Sequence, residues 1–162
     1  MKIKIIITGG TFDKEYDEIR GKLYFKDTHI NEILNLGRSR VDVNIEKLML
    51  IDSLDMKESH RQSILDSCSK SKESKIVITH GTDTMTKTAK VLAEKNLNKT
   101  IILTGAMIPY KFGTSDGLFN LGGAIAYAQS LPKGVYIAMN GQVFEWNKVE
   151  KNQSKGIFIR VK

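Results

Sequence analysis

Short β-prone segments alternate with helical segments along the whole of this 162-residue chain. The first of them, residues 2–8, is rich in isoleucine and is typical of a buried strand. Strands that alternate with helices predict a mostly parallel sheet with helices on both faces, a doubly wound α/β fold of three layers. The predicted strands are 2–8, 41–51, 74–80, 100–104 and 134–139; the predicted helices are a short one ending at Leu36 and longer ones over 57–71, 85–95 and 115–130; hairpins are expected within 12–25 and after Val143.

The length of the chain is that of one domain with a single core. Neither a linker nor an internal repeat interrupts it, so we expect one domain over residues 1–162 and no further C-terminal domain. The single cysteine, Cys68, cannot form an internal disulfide, which favours a cytoplasmic location. The apolar run from Ile5 to Ile7 is too short for a signal peptide, and no segment has membrane-spanning length.

The formal net charge of +7 raises the question of nucleic-acid binding. The lysines are scattered, however, and aromatic residues make up only 7% of the chain, so no basic stripe with a stacking platform emerges. A solvated, lysine-rich surface is the favoured interpretation, and neither a nucleic acid nor a membrane is expected as a partner. The positive field could still attract an anionic or zwitterionic small molecule.

Glycine, hydroxyl and acidic residues recur where three predicted strands end. They form the motifs TGGT at 8–11, DS at 52–53 and HGTDT at 80–84. In open parallel sheets, ligands bind outside the carboxyl ends of the strands, so these motifs predict a shared site. The first motif does not match the dinucleotide fingerprint, because its glycines are followed by a long polar loop rather than by a helix.

Each motif also has a simpler explanation. The glycine pair could merely form a tight turn beside Thr11, and Thr82 or Asp83 could merely cap the following helix. For His80 we favour a packed, structural imidazole over a catalytic base. The three histidines show no ligand spacing, so neither a metal site nor a cofactor is expected.

Together, TGGT, ITHGTDTM and LTGAMIPY followed by SDGLFNL resemble the bacterial-type L-asparaginase family. The resemblance extends from Lys2 to about Ser154, in the order and spacing of the family, and is greatest to its short, single-domain members. It implies the fold of the family's N-terminal, catalytic domain.

The resemblance also implies roles for individual residues. Thr11 corresponds to the acylated nucleophile, Tyr16 to the tyrosine that polarises it, and Thr82 with Asp83 to the second catalytic pair. The segment MNGQVFEWNKVEKN is similar to the one that supplies a catalytic lysine; it selects Lys151, with Lys148 as the competing choice. Leu54 departs from the family, many of whose members have a polar residue there. The expected substrate-binding residues are Gly10, Ser53, Gly81, Thr82, Asp83 and Ala106.

The implied reaction is hydrolysis of the side-chain amide of L-asparagine, with L-glutamine as a further candidate substrate, through an acyl-enzyme on threonine. Two alternatives remain open: a silent module that binds aspartate or asparagine, and an amidase subunit that acts with a partner. Self-association as a dimer or tetramer is expected, because the resembling proteins are oligomers and because Phe144, Trp146 and Phe158 are interpreted as exposed apolar residues.

Overall fold

The computed structural model describes all residues, 1–162, and its centre is a six-stranded sheet. The strands of this sheet span Lys2–Gly9 (β1), Asp42–Ile51 (β4), Lys75–Thr79 (β5), Thr100–Thr104 (β6), Gly134–Met139 (β7) and Gln142–Glu145 (β8). Five strands are parallel, and β8 pairs antiparallel with β7 at one edge. The strand order is β4-β1-β5-β6-β7-β8.

Four α-helices cover the two faces of the sheet, which confirms the predicted three-layer α/β fold. The helices span Ile30–Leu36 (α1), Glu58–Lys70 (α2), Met85–Glu94 (α3) and Gly117–Ser130 (α4). One apolar cluster joins the sheet to α2 and α3, and a second joins the opposite face to α1 and α4. None of the helices is long and apolar enough to cross a membrane.

The direction of winding reverses at β1. From β1 the chain first adds β4 on one side and then returns to add β5 on the other side. Such a reversal opens a crevice at the carboxyl ends of the central strands, because the connections leave on opposite sides. The motifs TGGT and HGTDT therefore flank this crevice.

Two antiparallel hairpins lie outside the main sheet. The first pairs Lys14–Asp17 (β2) with Lys22–Phe25 (β3), as the polar segment after the first strand predicts. The second pairs Val149–Asn152 (β9) with Ile157–Arg160 (β10).

The C-terminal segment covers the core rather than exposing apolar side chains. Phe144 and Phe158 are only 3% and 5% exposed, and Trp146 packs against the same core cluster. The prediction that these aromatics are exposed is therefore wrong for Phe144 and Phe158, which the edge strand β8 and the second hairpin bury, while Trp146 is partly buried. They give no support to self-association.

Candidate active site

Glycines allow the turns at the ends of β1, β4, β5 and β6 to pack backbone against backbone. A methyl group on Gly10 would lie 2.4 Å from the amide nitrogen of Gly81, and one on Gly81 would lie 2.6 Å from Oγ of Ser53. A methyl group on Gly105 would lie 2.3 Å from the carbonyl oxygen of His80. Because the glycines have no side chain at these contacts, the motifs at 8–11, 52–53 and 80–84 lie directly against one another, as their positions on the strands predict.

Thr11 begins a single turn of 3-10 helix that ends at Asp13 and directly follows the glycine pair. Gly10 has a φ of 77°, in the left-handed region that favours glycine. Asp13 is fully buried, and its Oδ1 accepts hydrogen bonds from the Thr28 hydroxyl and the His29 N–H, both at 3.0 Å. Burial raises the pKa of Asp13, against the opposing effect of these hydrogen bonds. This anchor fixes the turn that carries the half-buried Thr11.

Lys151 lies on β9 and reaches the turn after β5. Its Nζ donates to Thr82 Oγ1 at 2.8 Å and to Asp83 Oδ1 at 2.6 Å. The Lys151 side chain is only 9% exposed, so water screens this ion pair weakly. Lys148, by contrast, pairs with Glu145, and its side chain is half exposed. The structure thus brings Lys151, and not Lys148, to the predicted catalytic pair.

Ser53 is buried, and Thr84 holds it in place. The Thr84 N–H donates to Ser53 Oγ at 3.3 Å, and the Thr84 hydroxyl donates to the Ser53 carbonyl at 2.8 Å. No side chain caps the N-terminus of α3, so helix capping does not account for the hydroxyl and acidic residues of the motif at 80–84.

Ala106 is buried in the loop after β6. Two polar residues hold this loop: Asp116, just before α4, and Asn120, within α4. Asp116 accepts hydrogen bonds from the N–H groups of Met107 and Ile108 at 3.0 and 3.1 Å. Asn120 donates to the Gly105 carbonyl at 2.8 Å. Neither Asp116 nor Asn120 is among the site residues expected from the sequence.

The side chain of Tyr16, like that of Thr11, makes no hydrogen bond to the other predicted catalytic residues. It lies on the first hairpin, it is 57% exposed, and its hydroxyl lies near Gly21 of the same hairpin. Lys14, at the base of this hairpin, pairs with Asp52, the residue before Ser53. The hairpin is thus fixed at its base and open at its tip.

His80 is fully buried, and both of its ring nitrogens are engaged. Nδ1 lies 2.7 Å from the Gly81 carbonyl, and Nε2 lies 2.7 Å from the Thr88 hydroxyl. Because a carbonyl only accepts, Nδ1 carries the proton and Nε2 accepts from Thr88. Burial lowers the pKa of His80 to about 4. These contacts confirm the expected packed imidazole.

No cluster of three or more histidine, cysteine, aspartate or glutamate side chains with the arrangement of a metal site occurs in the structure. The acidic residues nearest the site, Asp52 and Asp83, are each paired with a lysine instead.

The sequence is similar to known proteins along almost its whole length. The profile of a family described as "Asparaginase, N-terminal" matches residues 2–158. L-asparaginase 2 of Escherichia coli is 30% identical over 168 residues, which cover 96% of this chain and 47% of that protein. One subunit of the glutamyl-tRNA(Gln) amidotransferase of Aeropyrum pernix is 31% identical over 150 residues, which cover 87% of this chain and 35% of that protein.

Solved structures agree with these matches. The thermostable L-asparaginase from Thermococcus kodakarensis superimposes with a TM-score of 0.87 at 27% identity, over 99% of this chain and 51% of that one. The chain therefore spans about half the length of this structure, and less than half of the two relatives.

Proposed function

The chain belongs to the asparaginase family, and we propose that it hydrolyses the side-chain amide of L-asparagine to L-aspartate and ammonia. The observation that carries the proposal is the pair of hydrogen bonds from Lys151 to Thr82 and Asp83. They hold the weakly screened ammonium group of Lys151 against the hydroxyl of Thr82, whose turn packs against the Thr11 turn.

In the first half of the proposed reaction, Thr11 Oγ1 attacks the amide carbon while Tyr16 polarises its hydroxyl. The backbone N–H of Thr82 makes no hydrogen bond to another protein group, so it is available to stabilise the oxyanion, with Gly81 lining the same position. The C–N bond then breaks, the leaving nitrogen takes up the proton lost by Thr11, and ammonia departs beside Ala106. An ester on Thr11 remains.

In the second half, a water molecule attacks the ester carbon. Thr82 accepts the proton of that water while its own hydroxyl proton passes to the Thr11 oxygen. Lys151 stays protonated and donates to Thr82 Oγ1, and Asp83 fixes the orientation of the lysine. The ester C–O bond breaks, Thr11 regains its proton, and aspartate is released. Gly10 and Ser53 line the substrate, with Ser53 binding the α-carboxylate and Asp83 the α-amino group.

Ammonia release from L-asparagine tests the proposal, with the wild type compared with Thr11→Ala and Thr11→Ser. We expect Thr11→Ala to lower kcat by at least about a thousandfold, because it removes the nucleophile. Mass spectrometry of the quenched reaction should show an aspartyl adduct on the wild type and none on Thr11→Ala. Equal rates for the wild type and Thr11→Ala would exclude Thr11 from the mechanism, and aspartate binding without turnover would favour a silent binding module. The same assay with L-glutamine determines the substrate preference.

A second candidate is an amidase subunit that works with a partner protein. The observation in its favour is the 31% identity to a subunit of a glutamyl-tRNA(Gln) amidotransferase. Affinity purification of the chain from its own cells tests it. A stoichiometric partner that increases glutaminase activity would support this function over that of a free asparaginase.

We propose in addition that the chain is a cytoplasmic homo-oligomer. Its only cysteine is a free, buried thiol, which accords with a reducing compartment. Large apolar side chains of α1 and α4 are exposed, with Leu36 and Phe119 both more than 60% accessible. Analytical ultracentrifugation tests the oligomeric state, and cell fractionation tests the location.

A further inference from the structure

A guanidinium group is buried behind the turn that carries Ser53. Arg61 is only 3% exposed, although it lies in the first turns of a surface helix, α2. Its Nη1 donates to the Met56 carbonyl at 3.1 Å and to Glu58 at 3.0 Å, and its Nε is buried without any partner. The Glu58 side chain is 80% exposed, so water screens its charge and it neutralises Arg61 incompletely. A buried cation with an unused donor requires a physical explanation.

The remaining hydrogen bond of Arg61 joins it to Thr84, which contacts Ser53 of the candidate site. Its Nη2 donates to Thr84 Oγ1 at 3.0 Å. A guanidinium group carries only donors, so the Thr84 oxygen must accept, and its single hydrogen goes to the Ser53 carbonyl. Arg61 therefore fixes the rotamer and the proton direction of Thr84.

Thr84 in turn determines what Ser53 can offer to a ligand. The Thr84 N–H donates to Ser53 Oγ, which leaves the hydroxyl hydrogen of Ser53 free to donate elsewhere. Gly81 packs directly against Ser53, and any side chain at that position would displace the hydroxyl. The Thr84 hydroxyl, which Arg61 orients, thus holds the backbone of Ser53, and the N–H of the same threonine holds the Ser53 side chain.

We propose that Arg61 is a positioning residue for recognition of the substrate's carboxylate, acting through Thr84 on Ser53. The inference rests on the proposed function, because it specifies how that same site selects amides that carry a carboxylate. The buried positive charge also raises the electrostatic potential behind Ser53, which favours an anionic group in front of it.

The matched pair Thr84→Val and Thr84→Ser tests this relay, with Thr86→Val as the control. Thr86 lies on the same first turn of α3, and its hydroxyl makes no hydrogen bond. We expect Thr84→Val to raise KM for L-asparagine on the order of tenfold while kcat changes less. Thr84→Ser keeps the hydroxyl and should have the KM of the wild type. For 3-aminopropanamide, which is asparagine without its α-carboxylate, kcat/KM should be the same in all three variants and the wild type.

Arg61→Lys provides an independent test. It keeps the positive charge but loses the planar guanidinium group, whose two terminal nitrogens reach Met56 and Thr84 together. It should raise KM for asparagine as Thr84→Val does. A purely structural role for the relay predicts instead that kcat falls for both substrates in parallel with the melting temperature. That outcome, or an unchanged KM in Thr84→Val, would overturn the inference.

Calorimetry with L-aspartate separates failure of the inference from failure of the proposed function. A wild type that releases no ammonia but binds aspartate more tightly than Thr84→Val refutes the hydrolase and retains the positioning role. A wild type that turns over asparagine with the same KM as Thr84→Val refutes the positioning role alone. If the wild type neither releases ammonia from asparagine nor binds aspartate, both fail.

Discussion

Gly10 and Gly81 touch backbone to backbone, and this contact joins the turn of the proposed nucleophile to the turn of Thr82 and Asp83. A methyl group on Gly10 would lie within 2.4 Å of the Gly81 amide nitrogen. The two turns are far apart in sequence, so only the parallel pairing of β1 with β5 brings them together.

Gly10→Ala should therefore abolish most activity, and Gly113→Ala provides a matched control. Both glycines have a φ of 77°, but a methyl group on Gly113 would meet no atom within 4 Å. Gly113 has a ψ of −17°, where alanine costs about 1 kcal/mol through backbone strain, whereas Gly10 has a ψ of −177°, a conformation essentially restricted to glycine, so Gly10→Ala is strained more. Only Gly10→Ala should also separate the turns, which lowers kcat/KM for asparagine on the order of a hundredfold. Urea unfolding and ammonia release measure the two effects, and equal loss of activity in both variants would contradict the prediction.

Substitutions of Lys151 and Lys148 should have different effects on activity. Lys151→Met removes the donor to Thr82 and Asp83, so we expect kcat to fall by about a thousandfold. Lys148→Met removes only a half-exposed pair with Glu145, and activity should stay within about twofold. Steady-state ammonia release checks both variants. A loss confined to Lys148→Met would show that the proposed proton relay is wrong.

Much of the architecture could be predicted from local patterns. The predicted strands and helices match the observed ones to within about two residues at most ends, because each has a clear apolar period and a glycine or polar turn beyond it. The convergence of the three motifs followed from one rule, that parallel strands end at the same edge of the sheet.

The residues whose surroundings were not predicted from the sequence are those whose burial depends on non-local packing. Which face of the second hairpin meets the core determines whether Phe158 is buried, and the hairpin's own pattern does not specify that face. Asp116 shows a related ambiguity, since the residue types that cap helices also anchor loops. A signal for Arg61 was present: it precedes Ile64, Leu65 and Cys68 by three, four and seven residues, which places it on the buried face of α2.

His80 should make folding stability depend on pH. Its folded pKa of about 4 lies below the ordinary histidine value, so the unfolded chain binds more protons between roughly pH 6.5 and 4. Its contribution is therefore present above about pH 6.5 and is lost as the pH falls through this window, by up to roughly 3 kcal/mol.

His80→Gln isolates this effect, since an amide can also donate to the Gly81 carbonyl and accept from Thr88. Urea unfolding of both proteins between about pH 7 and pH 4.5 should show a steeper loss of stability in the wild type. Parallel pH profiles for the two proteins would mean that His80 is protonated in the folded state as readily as in the unfolded one.

Cys68 should be chemically silent in the folded protein. Its thiol is fully buried between α2 and the sheet, and burial raises its pKa to about 12. The thiolate is the reactive species, so modification by Ellman's reagent at about pH 8 should be slower than in the unfolded chain by at least about a hundredfold. One thiol should react at once when guanidinium is added; a rapid reaction without denaturant would show that α2 opens readily.

The ion pair between Lys14 and Asp52 should stabilise the site more than a surface pair does. Lys14 follows the turn of Thr11, Asp52 precedes Ser53, and their side chains are 16% and 29% exposed. Lys47 and Asp27 form a matched pair with side chains 51% and 60% exposed. We expect Lys14→Met to cost about 1–2 kcal/mol and to raise KM for asparagine, and Lys47→Met to leave both the free energy of unfolding and KM almost unchanged.

The pH dependence of the Lys14→Met effect identifies its origin. Burial tends to raise the pKa of Asp52, but hydrogen bonds from Lys14 and from the Leu54 N–H hold it below its ordinary value. A carboxylate with a lowered folded pKa stabilises the protein above its unfolded pKa, and this contribution is lost as the pH falls through the folded value. The difference in stability between the wild type and Lys14→Met should therefore narrow below about pH 4. A difference that persists unchanged in acid would assign the effect to the cation–π contact of the Lys14 ammonium group with the Phe25 ring, 5.5 Å from its centroid, instead of to the ion pair.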